Sequence, residues 1–416
     1  MPKAKIKKSK RCLICNGDKL TRFLSLGDLP LANSYLTKKE LRKRELKVPL
    51  NIYYCQTCHL AQLLDIVDRG LLFNNYAYFS SASITLVKHF EGYAKDVIKK
   101  FPLPAKQLII DVGSNDGVLL KPLKKLGARI LGVDPATNIT AIVNKKHLES
   151  INDFFGTHIV QHINNTYGKA GIITANNVLA HTDKIHDILA ATKQILDPNG
   201  VFIFEIQYLA DLLRKNEFDG MYHEHICYFS LHPLIYLLEQ YDLQVFDVLH
   251  VDNHGGSLRI YASHKSGPFR IKNTVQKFLQ RERDFKLNED KVYKKFAKQP
   301  LIIKKTLTNI LADIKKLGKK IVGYGAPAKA TTLLNFCGIT KDTIDYITDT
   351  TPSKQNLYMP GNHIPILAPE TIKKNIPDYI IILAWNYADT IMEKEQWFTR
   401  QGGKFIIPIP YPTIIG

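Results

Sequence analysis

The chain has 416 residues, of which 45% are hydrophobic and 23% are charged. This composition is typical of a globular protein, and the length allows two or three domains with ordinary cores. No apolar run reaches the roughly 18 residues of a membrane-spanning helix. The basic N-terminus leads into no apolar segment, so we do not expect a secretory signal. We therefore expect a cytoplasmic protein without a membrane partner.

The formal net charge of +19 would attract phosphorylated partners, either a nucleic acid or a nucleotide-activated metabolite. The basic residues are spread over several stretches, however, and the stretches 38–47 and 272–305 interleave acidic residues as solvated helices do. Nucleic-acid binding is therefore the less favoured interpretation. No heptad pattern or obvious interface stands out, so we expect a monomer.

Four of the six cysteines form two Cys-x2-Cys pairs, Cys12 with Cys15 and Cys55 with Cys58. Each pair suits a turn that directs two thiolates at one ion, and two such turns complete a tetrahedral zinc site. Disulfides are the alternative, which a cytosolic chain disfavours. Because all four ligands are cysteines, no position is left for water. We predict a structural Zn²⁺ in an N-terminal module of residues 1–75.

An alternation of apolar strands and helices begins at Gln107 and predicts an α/β domain over residues 76–250. The first strand is followed by a glycine turn at 111–117, and the second ends in Asp134. That carboxylate falls at the sequence distance expected for a ribose contact. The predicted elements are strand 107–111, helix 118–126, and strands 128–134, 171–177 and 200–205.

The glycine turn suggests which cofactor this domain binds. Its sequence, Asp-Val-Gly-Ser-Asn-Asp-Gly, lacks the Gly-x-Gly-x-x-Gly pattern that allows close approach to a pyrophosphate. S-adenosylmethionine has no diphosphate and fits better, with Asp134 on the ribose, the turn near the methionine part and Asp153 at the adenine edge. A domain without a cofactor is the alternative. The expected cofactor-binding residues are Asp111, Gly113, Asn115, Asp116, Gly117, Asp134, Asp153, Asn176 and Asn177.

The run Tyr222-His223-Glu224-His225 places a phenol, two imidazoles and a carboxylate in four positions. Packing alone does not explain all of them, and loops at strand ends often carry function. A metal site of the His-x3-His kind would need a wider spacing of the two histidines. We therefore favour general acid–base chemistry by His225, tuned by Glu224 or another carboxylate.

A second alternation of strands and helices follows a charged helical stretch at 272–318. The amides of Gly323 to Ala328 at a helix N-terminus, together with Lys329, would suit a diphosphate. A purely structural domain that closes the active site is the alternative. The predicted elements are strand and turn 319–325, helix 328–336, and strands 344–349, 379–385 and 404–408.

Seven motifs occur in order along the chain: the four paired cysteines, Asn75–Ser83, Asp111–Gly117, Asn176–His181, Tyr222–His225, Asn253–Arg259 and Gly323–Lys329. Together they resemble the zinc-containing sugar C-methyltransferases of branched deoxysugar pathways, which methylate nucleotide-linked 4-keto-6-deoxyhexoses. The resemblance covers essentially the whole chain. It implies an N-terminal zinc module, a central class I (Rossmann-like) methyltransferase domain and a C-terminal Rossmann-like α/β domain over residues 251–416.

The resemblance also implies a mechanism and its residues. His225 removes the C3 hydrogen beside the ketone, and the enolate attacks the methyl group of S-adenosylmethionine. Tyr222, Glu224, His181 and Tyr76 would position the sugar, orient the imidazole or stabilise the enolate oxygen. The expected substrate-binding residues are Tyr78, Ser81, Asn253, Arg259, Tyr324, Lys329 and Asp349.

Several alternatives stay open at this point. Methylation at C5 is one, because both C3 and C5 adjoin the ketone, and the hexose and nucleobase are undefined. An RNA methyltransferase is another, although residues 176–179 lack the Asn-Pro-Pro-aromatic motif of amine methylation. An N- or O-methyltransferase of the same sugars would not need an enolate-forming base, and a non-catalytic binding protein would not need the Tyr-His-Glu-His run.

Overall fold

The computed structural model describes residues 6–74, 76, 79–102, 107–253 and 255–416. The chain divides into two compact units. The first unit comprises Met1–Thr21, Tyr54–Leu209 and Ile226–Asn288, and the second comprises Arg22–Tyr53, Ala210–His225 and Glu289–Gly416. Within the described residues, no helix is both long enough and apolar enough to cross a lipid bilayer.

The strands are numbered in chain order. They are β1 Ile6–Lys8, β2 Leu20–Pro30, β3 Lys47–Cys55, β4 Ala61–Leu63, β5 Asp65–Val67, β6 Leu108–Val112, β7 Arg129–Val133, β8 Ser150–Ile151, β9 Ala170–Thr174, β10 Leu196–Gln207, β11 Cys227–Tyr228, β12 Leu243–Val251, β13 Ser257–His264, β14 Ile321–Tyr324, β15 Ile347–Thr348, β16 Ile366–Leu367, β17 Tyr379–Ile382, β18 Lys404–Ile407 and β19 Thr413–Ile415.

The α-helices are numbered in the same way. They are α1 Arg69–Phe73, α2 Ile84–Lys100, α3 Leu120–Lys125, α4 Thr137–Lys145, α5 Thr157–Tyr167, α6 Ile185–Ile195, α7 Leu209–Arg214, α8 Leu231–Glu239, α9 Asn273–Asp284, α10 Asp290–Phe296, α11 Gln299–Lys316, α12 Ala328–Cys337, α13 Glu370–Lys374, α14 Ala388–Lys394 and α15 Gln396–Arg400.

The first unit is built on a seven-stranded sheet with the order β12-β13-β10-β9-β6-β7-β8. The strands from β10 to β8 are parallel, and β13 runs antiparallel to both of its neighbours. Numbered within the sheet, this order is 3-2-1-4-5-7-6, as expected for a class I methyltransferase. The strand order reverses between β6 and β9, which is where α/β sheets bind ligands at the carboxyl ends of their strands.

Burial explains why the central strands form. All five residues of β6 and all five of β9 are buried, as expected for parallel strands that are covered on both faces. Helix α2 packs on this core through Leu86, Phe90, Tyr93, Ala94 and Val97, whose spacing of three or four residues defines one helix face. The predicted strands of this domain are confirmed. The helix after β6 begins two residues later than predicted.

The second unit contains a six-stranded sheet with the order β16-β15-β14-β17-β18-β19. The strands are parallel except for β19, which is antiparallel to β18. Its strand order also reverses, between β14 and β17, with helix α12 following β14 directly. The predicted C-terminal Rossmann-like fold is therefore confirmed, although β15 has only two residues where six were expected.

Candidate functional site

The four paired cysteines converge in the first unit. Their sulfur atoms all lie within 4.8 Å of one another. Cys12 Sγ lies 3.4 Å from Cys58 Sγ, and Cys15 Sγ lies 3.5 Å from Cys55 Sγ. A tetrahedral Zn²⁺ with Zn–S bonds of about 2.3 Å would place its sulfur ligands roughly 3.8 Å apart. The donor set therefore fits zinc, and four thiolate ligands make the site structural.

The first cysteine turn is attached to the rest of this unit by side-chain hydrogen bonds. The amide of Leu13, between Cys12 and Cys15, donates to Gln62 Oε1 over 2.8 Å. His186 Nε2 lies 3.0 Å from the carbonyl oxygen of Leu13, and His186 Nδ1 lies 2.7 Å from the hydroxyl of Tyr241. His186 belongs to α6, so the metal centre and the methyltransferase-like sheet share one hydrogen-bonded structure.

The glycine turn after β6 has the conformation that the sequence predicts. Gly113 and Gly117 have φ values of +66° and +79°. A Cβ atom on Gly113 would lie 2.5 Å from Val178, and one on Gly117 would lie 2.8 Å from Leu148. Both positions therefore need glycine for conformational and for steric reasons. The loop after β9 lies directly against this turn.

Asp134 holds the turn together. Its Oδ2 accepts a hydrogen bond from the amide of Asn115 over 2.8 Å, and its Oδ1 accepts one from the amide of Ala136 over 2.9 Å. Burial raises the pKa of this carboxyl above its usual range. Each oxygen keeps a second lone pair for a ligand hydroxyl. The carboxylate is thus a structural part of the turn, and its ribose contact stays a prediction.

Asp111 is buried beside the same turn. Its Oδ1 accepts a 2.6 Å hydrogen bond from the hydroxyl of Thr174 at the end of β9. Burial raises the pKa of Asp111 to about 7; the Thr174 hydrogen bond opposes this shift and the charge of Asp134 adds to it. A cationic group bound nearby would favour the ionised carboxylate.

Asn115 and Asp116 hold the segment that precedes α2. The amide of Ser80 donates to Asn115 Oδ1 over 2.9 Å. Both the amide and the hydroxyl of Ser81 donate to the carboxylate of Asp116. Ser81 was expected to bind substrate and Asp116 to bind the cofactor; in the structure these two residues bind each other. The predicted residue Tyr78 lies outside the described residues.

Tyr76 and His181 belong to one aromatic group around Phe73. The ring of Phe73 lies 5.4 Å from that of Tyr76 and 5.8 Å from that of His181, centroid to centroid. The backbone of Tyr76 is fixed by Asn138, whose side chain accepts from its amide and donates to its carbonyl oxygen. His181 ends the 3₁₀ turn Leu179–His181 that follows β9. The structure therefore brings these two predicted residues together.

Two buried polar atoms near the turn have no hydrogen-bond partner among the described residues: Asn176 Oδ1 and Ser114 Oγ. Buried polar atoms normally have partners, so these atoms suit a bound ligand. The ammonium group of S-adenosylmethionine needs hydrogen-bond acceptors, and both Asn176 Oδ1 and the Asp111 carboxylate are acceptors. The residues at the turn therefore fit this cofactor. Asp153 is more peripheral, with 43% of its side chain exposed and an ion pair to His158.

Arg259 is buried in the sheet as one member of an ion pair. Its Nε donates to Glu205 Oε1 over 2.7 Å, and its guanidinium lies 4.0 Å from the ring centroid of Tyr93. His89 Nε2 lies 2.8 Å from the other oxygen of Glu205. Burial opposes ionisation of Glu205, but the hydrogen bond from His89 and the charge of Arg259 hold its pKa below the usual range. The guanidinium of Arg259, which was predicted to bind substrate, thus pairs with Glu205 and packs on Tyr93 in the interior of the first unit.

Asn253, another predicted substrate residue, closes the β12–β13 connection. Its backbone carbonyl oxygen accepts from the hydroxyl of Ser257 over 3.0 Å and from the amide of Gly256 over 2.9 Å. Its side chain is buried, and its Nδ2 has no acceptor among the residues that the structure describes. This nitrogen is a candidate donor to a ligand.

The Tyr-His-Glu-His run belongs to the second unit. Tyr222 and His225 are partly exposed, whereas His223 and Glu224 are buried. His223 Nε2 lies 3.0 Å from the carbonyl oxygen of Val48, and Asn33 Nδ2 donates to Glu224 Oε1 over 2.8 Å. The buried pair anchors the loop, while Tyr222 and His225 keep part of their surface exposed.

The contacts of His225 define which of its nitrogens is basic. Its Nδ1 lies 3.0 Å from the carbonyl oxygen of Gly220, which can only accept a hydrogen bond. In the neutral imidazole Nδ1 therefore carries the proton, and Nε2 is the nitrogen that accepts hydrogen bonds. The hydroxyl of Tyr222 lies 2.9 Å from Nε2 and donates to it. A partly exposed imidazole with a fixed tautomer is suited to accept a proton.

The predicted diphosphate cradle is wrong for most of its amides, because they already donate within the unit. The pairs are Gly323 N with Tyr346 O (2.8 Å), Gly325 N with Thr348 O (2.7 Å) and Ala326 N with Asp349 Oδ2 (2.7 Å). Pro327 has no N–H to offer. Asp349 thus holds this turn as Asp134 holds the other one.

Tyr324 and Lys329 also have partners within the second unit. Tyr324 is buried, and its hydroxyl donates to Glu395 Oε1 over 2.9 Å. Burial and that hydrogen bond raise the pKa of Tyr324. Lys329 Nζ lies 4.1 Å from the ring centroid of Trp385 and is only partly buried. Of these predicted residues, Lys329 is the better placed to reach a ligand.

Three family models match consecutive parts of the chain. A putative zinc binding domain matches residues 12–73, a methyltransferase domain matches 86–248, and a C-methyltransferase C-terminal domain matches 252–410. The order and content of the three models agree with the cysteine cluster and the two sheets described above.

Among curated proteins, C-methyltransferase NovU from Streptomyces niveus is 33% identical over 404 residues, which is 97% of this chain and 96% of that protein. A ubiquinone biosynthesis O-methyltransferase from Rhodopseudomonas palustris is 31% identical, but over only 25% of this chain and 44% of its own. Magnesium protoporphyrin IX methyltransferase from Synechocystis PCC 6803 has a solved structure with a TM-score of 0.33 at 14% identity, covering 43% of this chain and 79% of that chain.

Proposed function

This chain belongs to the family of S-adenosylmethionine-dependent C-methyltransferases, and we propose that it methylates C3 of a nucleotide-linked 4-keto-6-deoxyhexose. The single observation that carries the proposal is the geometry of His225. Methylation of a carbon atom requires a carbanion or its equivalent, and a ketone makes the neighbouring C–H acidic enough for an imidazole to remove its proton. Methylation of a heteroatom needs no such base.

In this proposal, Nε2 of His225 takes the proton from the carbon beside the ketone. The electron pair of that C–H bond moves into the enolate, and the imidazole becomes an imidazolium. Its Nδ1–H keeps the hydrogen bond to the carbonyl oxygen of Gly220, so the ring need not rotate during the transfer. The hydroxyl of Tyr222, released from Nε2, is then a donor for the enolate oxygen.

When bound, S-adenosylmethionine supplies an electrophilic methyl group on a sulfonium, which the nucleophilic carbon attacks. We propose that the glycine turn, Asp111 and Asn176 hold its methionine part and that Asp134 binds the ribose. Asp153 is proposed at the adenine edge. Because the leaving thioether is neutral, no acid is needed at the sulfur. The structural Zn²⁺ takes no part in these steps.

The remaining predicted residues have less direct roles in the proposal. Tyr76 and His181 pack against Phe73 in the first unit, and we propose that they position the sugar. Glu224 is held by Asn33 and keeps the run in place rather than touching the reacting atoms. Lys329 is the proposed contact to the diphosphate, as a single charge rather than as part of an amide cradle. The proposed domain limits are 1–75, 76–250 and 251–416.

The experiment that tests this function is product analysis with a panel of substrates. The zinc-loaded protein is incubated with S-adenosylmethionine and a set of 4-keto-6-deoxyhexoses that differ in the nucleotide and in the C3 substituent. Mass spectrometry detects a methyl gain, and NMR of the product locates it. The proposal predicts a new C–CH₃ bond at C3. A methyl group on nitrogen or oxygen, or on C5, would contradict it.

A further inference from the structure

We propose that Trp385, through its hydrogen bond to Asp219, is a positioning residue for the imidazole of His225. The inference deepens the proposed function above and rests on it for its catalytic meaning. It is carried by contacts within the second unit alone. Neither residue belongs to the Tyr-His-Glu-His run.

The first link is the contact between the two side chains. The indole Nε1 of Trp385 donates to Asp219 Oδ2 over 2.7 Å, across 166 residues of sequence. The side chain of Asp219 is fully buried and that of Trp385 is 9% exposed. A hydrogen bond to a buried carboxylate is strong, and a buried acceptor that loses its donor bears the full cost of its desolvation. The position of Asp219 is therefore tightly coupled to that of the indole.

The second link runs through the backbone. Asp219 is the middle residue of the 3₁₀ turn Phe218–Gly220. The next carbonyl along the chain is that of Gly220, and it accepts the hydrogen bond from Nδ1 of His225. Whatever fixes the Asp219 side chain therefore restrains the carbonyl group that selects the tautomer of the base.

The third link is the support on either side of this turn. The hydroxyl of Thr332, on α12, donates to the carbonyl oxygen of Met221 over 3.3 Å. The rings of Phe218 and Phe336 lie 5.4 Å apart, centroid to centroid. Lys329 Nζ lies over the face of Trp385 and contacts the indole from that side. The turn is thus attached to α12 and to the loop after β17, both at the carboxyl ends of the second sheet.

This arrangement has a consequence for Lys329. Its charge lowers the pKa of both Glu217 and Asp219, although burial raises the pKa of both carboxyls overall. The lysine charge therefore belongs to the same cluster of the second unit as Trp385 and Asp219.

The test compares two tryptophan variants of the full-length, zinc-loaded protein. Trp385→Phe removes the donor to Asp219. Trp397→Phe is a matched control, because Trp397 Nε1 also donates to a carboxylate over 2.7 Å, that of Glu395. The chain has two tryptophans, so the pair covers both. The readout is the ¹⁵N NMR spectrum of the histidine rings, with the His225 signals assigned by their loss in His225→Gln.

In the wild-type protein we expect His225 as a single Nδ1–H tautomer. Trp385→Phe should give a mixture of tautomers, and solvent deuterium exchange into a 4-keto sugar should fall on the order of tenfold, as for one lost hydrogen bond. KM should change little. Trp397→Phe should change neither readout. An unchanged His225 spectrum in Trp385→Phe would overturn the inference.

A second pair of variants guards against simple unfolding. Asp219→Asn keeps an oxygen that can accept from Trp385 and should retain the wild-type tautomer. Asp219→Ala should reproduce the spectrum of Trp385→Phe while keeping a cooperative thermal transition. Equal histidine spectra for Asp219→Asn and Asp219→Ala would contradict the proposal. The NMR readout needs no turnover, so it tests the positioning role separately from the proposed function. If Trp385→Phe changes the tautomer but the wild-type protein exchanges no deuterium into any 4-keto sugar, the proposed function is wrong and the positioning role stands.

Discussion

The hydroxyl of Tyr222 lies 2.9 Å from Nε2 of His225, while Nδ1 of the same ring faces the carbonyl oxygen of Gly220. These two contacts assign opposite roles to the two ring nitrogens. They make Nε2 the basic atom and place a phenol beside it, which is the arrangement that a proton-abstraction mechanism needs.

Tyr222→Phe should slow the reaction without abolishing it. In the proposed mechanism this variant keeps the base but loses the donor to the enolate oxygen, and removal of one such donor costs about 10²–10³ in kcat. Steady-state kinetics with the accepted 4-keto sugar measures the effect. A variant with full kcat would exclude the hydroxyl from the reaction.

Gly113→Ala should prevent cofactor binding. The new Cβ would lie 2.5 Å from Val178 in a residue with a φ of +66°. Gly127→Ala is the control, because Gly127 also has a positive φ, of +84°, but its new Cβ would have no atom within 4 Å. Calorimetric titration with S-adenosylmethionine should show binding to the control only. Equal affinities would mean that the turn is not part of the cofactor site.

Loss of zinc should destabilise the first unit as a whole. Cys58→Ser removes one ligand, and the His186 and Gln62 contacts transmit the loss to the sheet. We expect less than one zinc per chain by metal analysis and a Tm lowered by about 10 °C, since 1 kcal/mol shifts Tm by roughly 2–4 °C in a unit of this size. Cys337→Ala is the control, because it removes a buried thiol that lies outside the cluster. This variant should still bind one zinc per chain. A zinc-free Cys58→Ser protein with the wild-type Tm would contradict this.

Arg259→Met should cost about 3–5 kcal/mol of unfolding free energy, because it leaves the buried Glu205 without its cation. Adding Glu205→Gln should recover part of that loss. Arg129→Met, at an exposed arginine of β7, should cost about 1 kcal/mol or less. Urea unfolding measures all three. A near-neutral Arg259→Met with a raised KM for the sugar would instead restore the predicted role in substrate binding.

Glu217 should make the protein less stable as the pH rises. Burial raises its pKa from 4.5 to about 7, Lys329 and Lys215 oppose the shift, and Asp219 and Asp211 add to it. The folded state therefore holds the proton more tightly, and this stabilisation is complete below about pH 4.5 and lost as the pH rises through 7.

The expected size of that pH effect is about 3 kcal/mol. Glu217→Gln should remove it from the difference in unfolding free energy between pH 5 and pH 8. Glu393→Gln, at an exposed position of α14, should leave the pH dependence unchanged. If the unfolding free energies of the wild-type protein and Glu217→Gln change equally between pH 5 and pH 8, this carboxyl does not titrate in that range.

The sequence predicts well what depends on local patterns. Apolar runs separated by helices predicted four strands of each sheet, and the Cys-x2-Cys spacing predicted the metal cluster. Strands β8, β12, β13, β16 and β19 were not predicted. Only part of the role of Asp134 could be predicted. Its position after β7 suggests a ligand contact, but the sequence does not show that its carboxylate accepts a hydrogen bond from the amide of Asn115. A sequence does not show which backbone amides already have an acceptor, so the pairing of Gly323, Gly325 and Ala326 within the second unit was not foreseen.

Contacts between distant residues were not predictable. His89 is one polar residue on an amphipathic helix, and Glu205 is one carboxylate in an apolar strand. Nothing local shows that β10 and β13 become neighbours and pair Glu205 with Arg259. The bond between Asp219 and Trp385 depends in the same way on the strand order of the second sheet. Such pairs would require information on distant contacts.

Solvent exchange shows whether His225 removes a proton from the carbon atom beside the ketone. The 4-keto sugar is incubated in heavy water with the protein and S-adenosylhomocysteine, which cannot donate a methyl group. NMR follows loss of the C3 proton signal. His162→Gln, at an exposed histidine of α5, is the matched control. We predict that exchange is about 10²–10⁴-fold slower in His225→Gln than in the wild-type protein, and that the control variant keeps the wild-type rate. Exchange at the wild-type rate in His225→Gln would exclude His225 as the base.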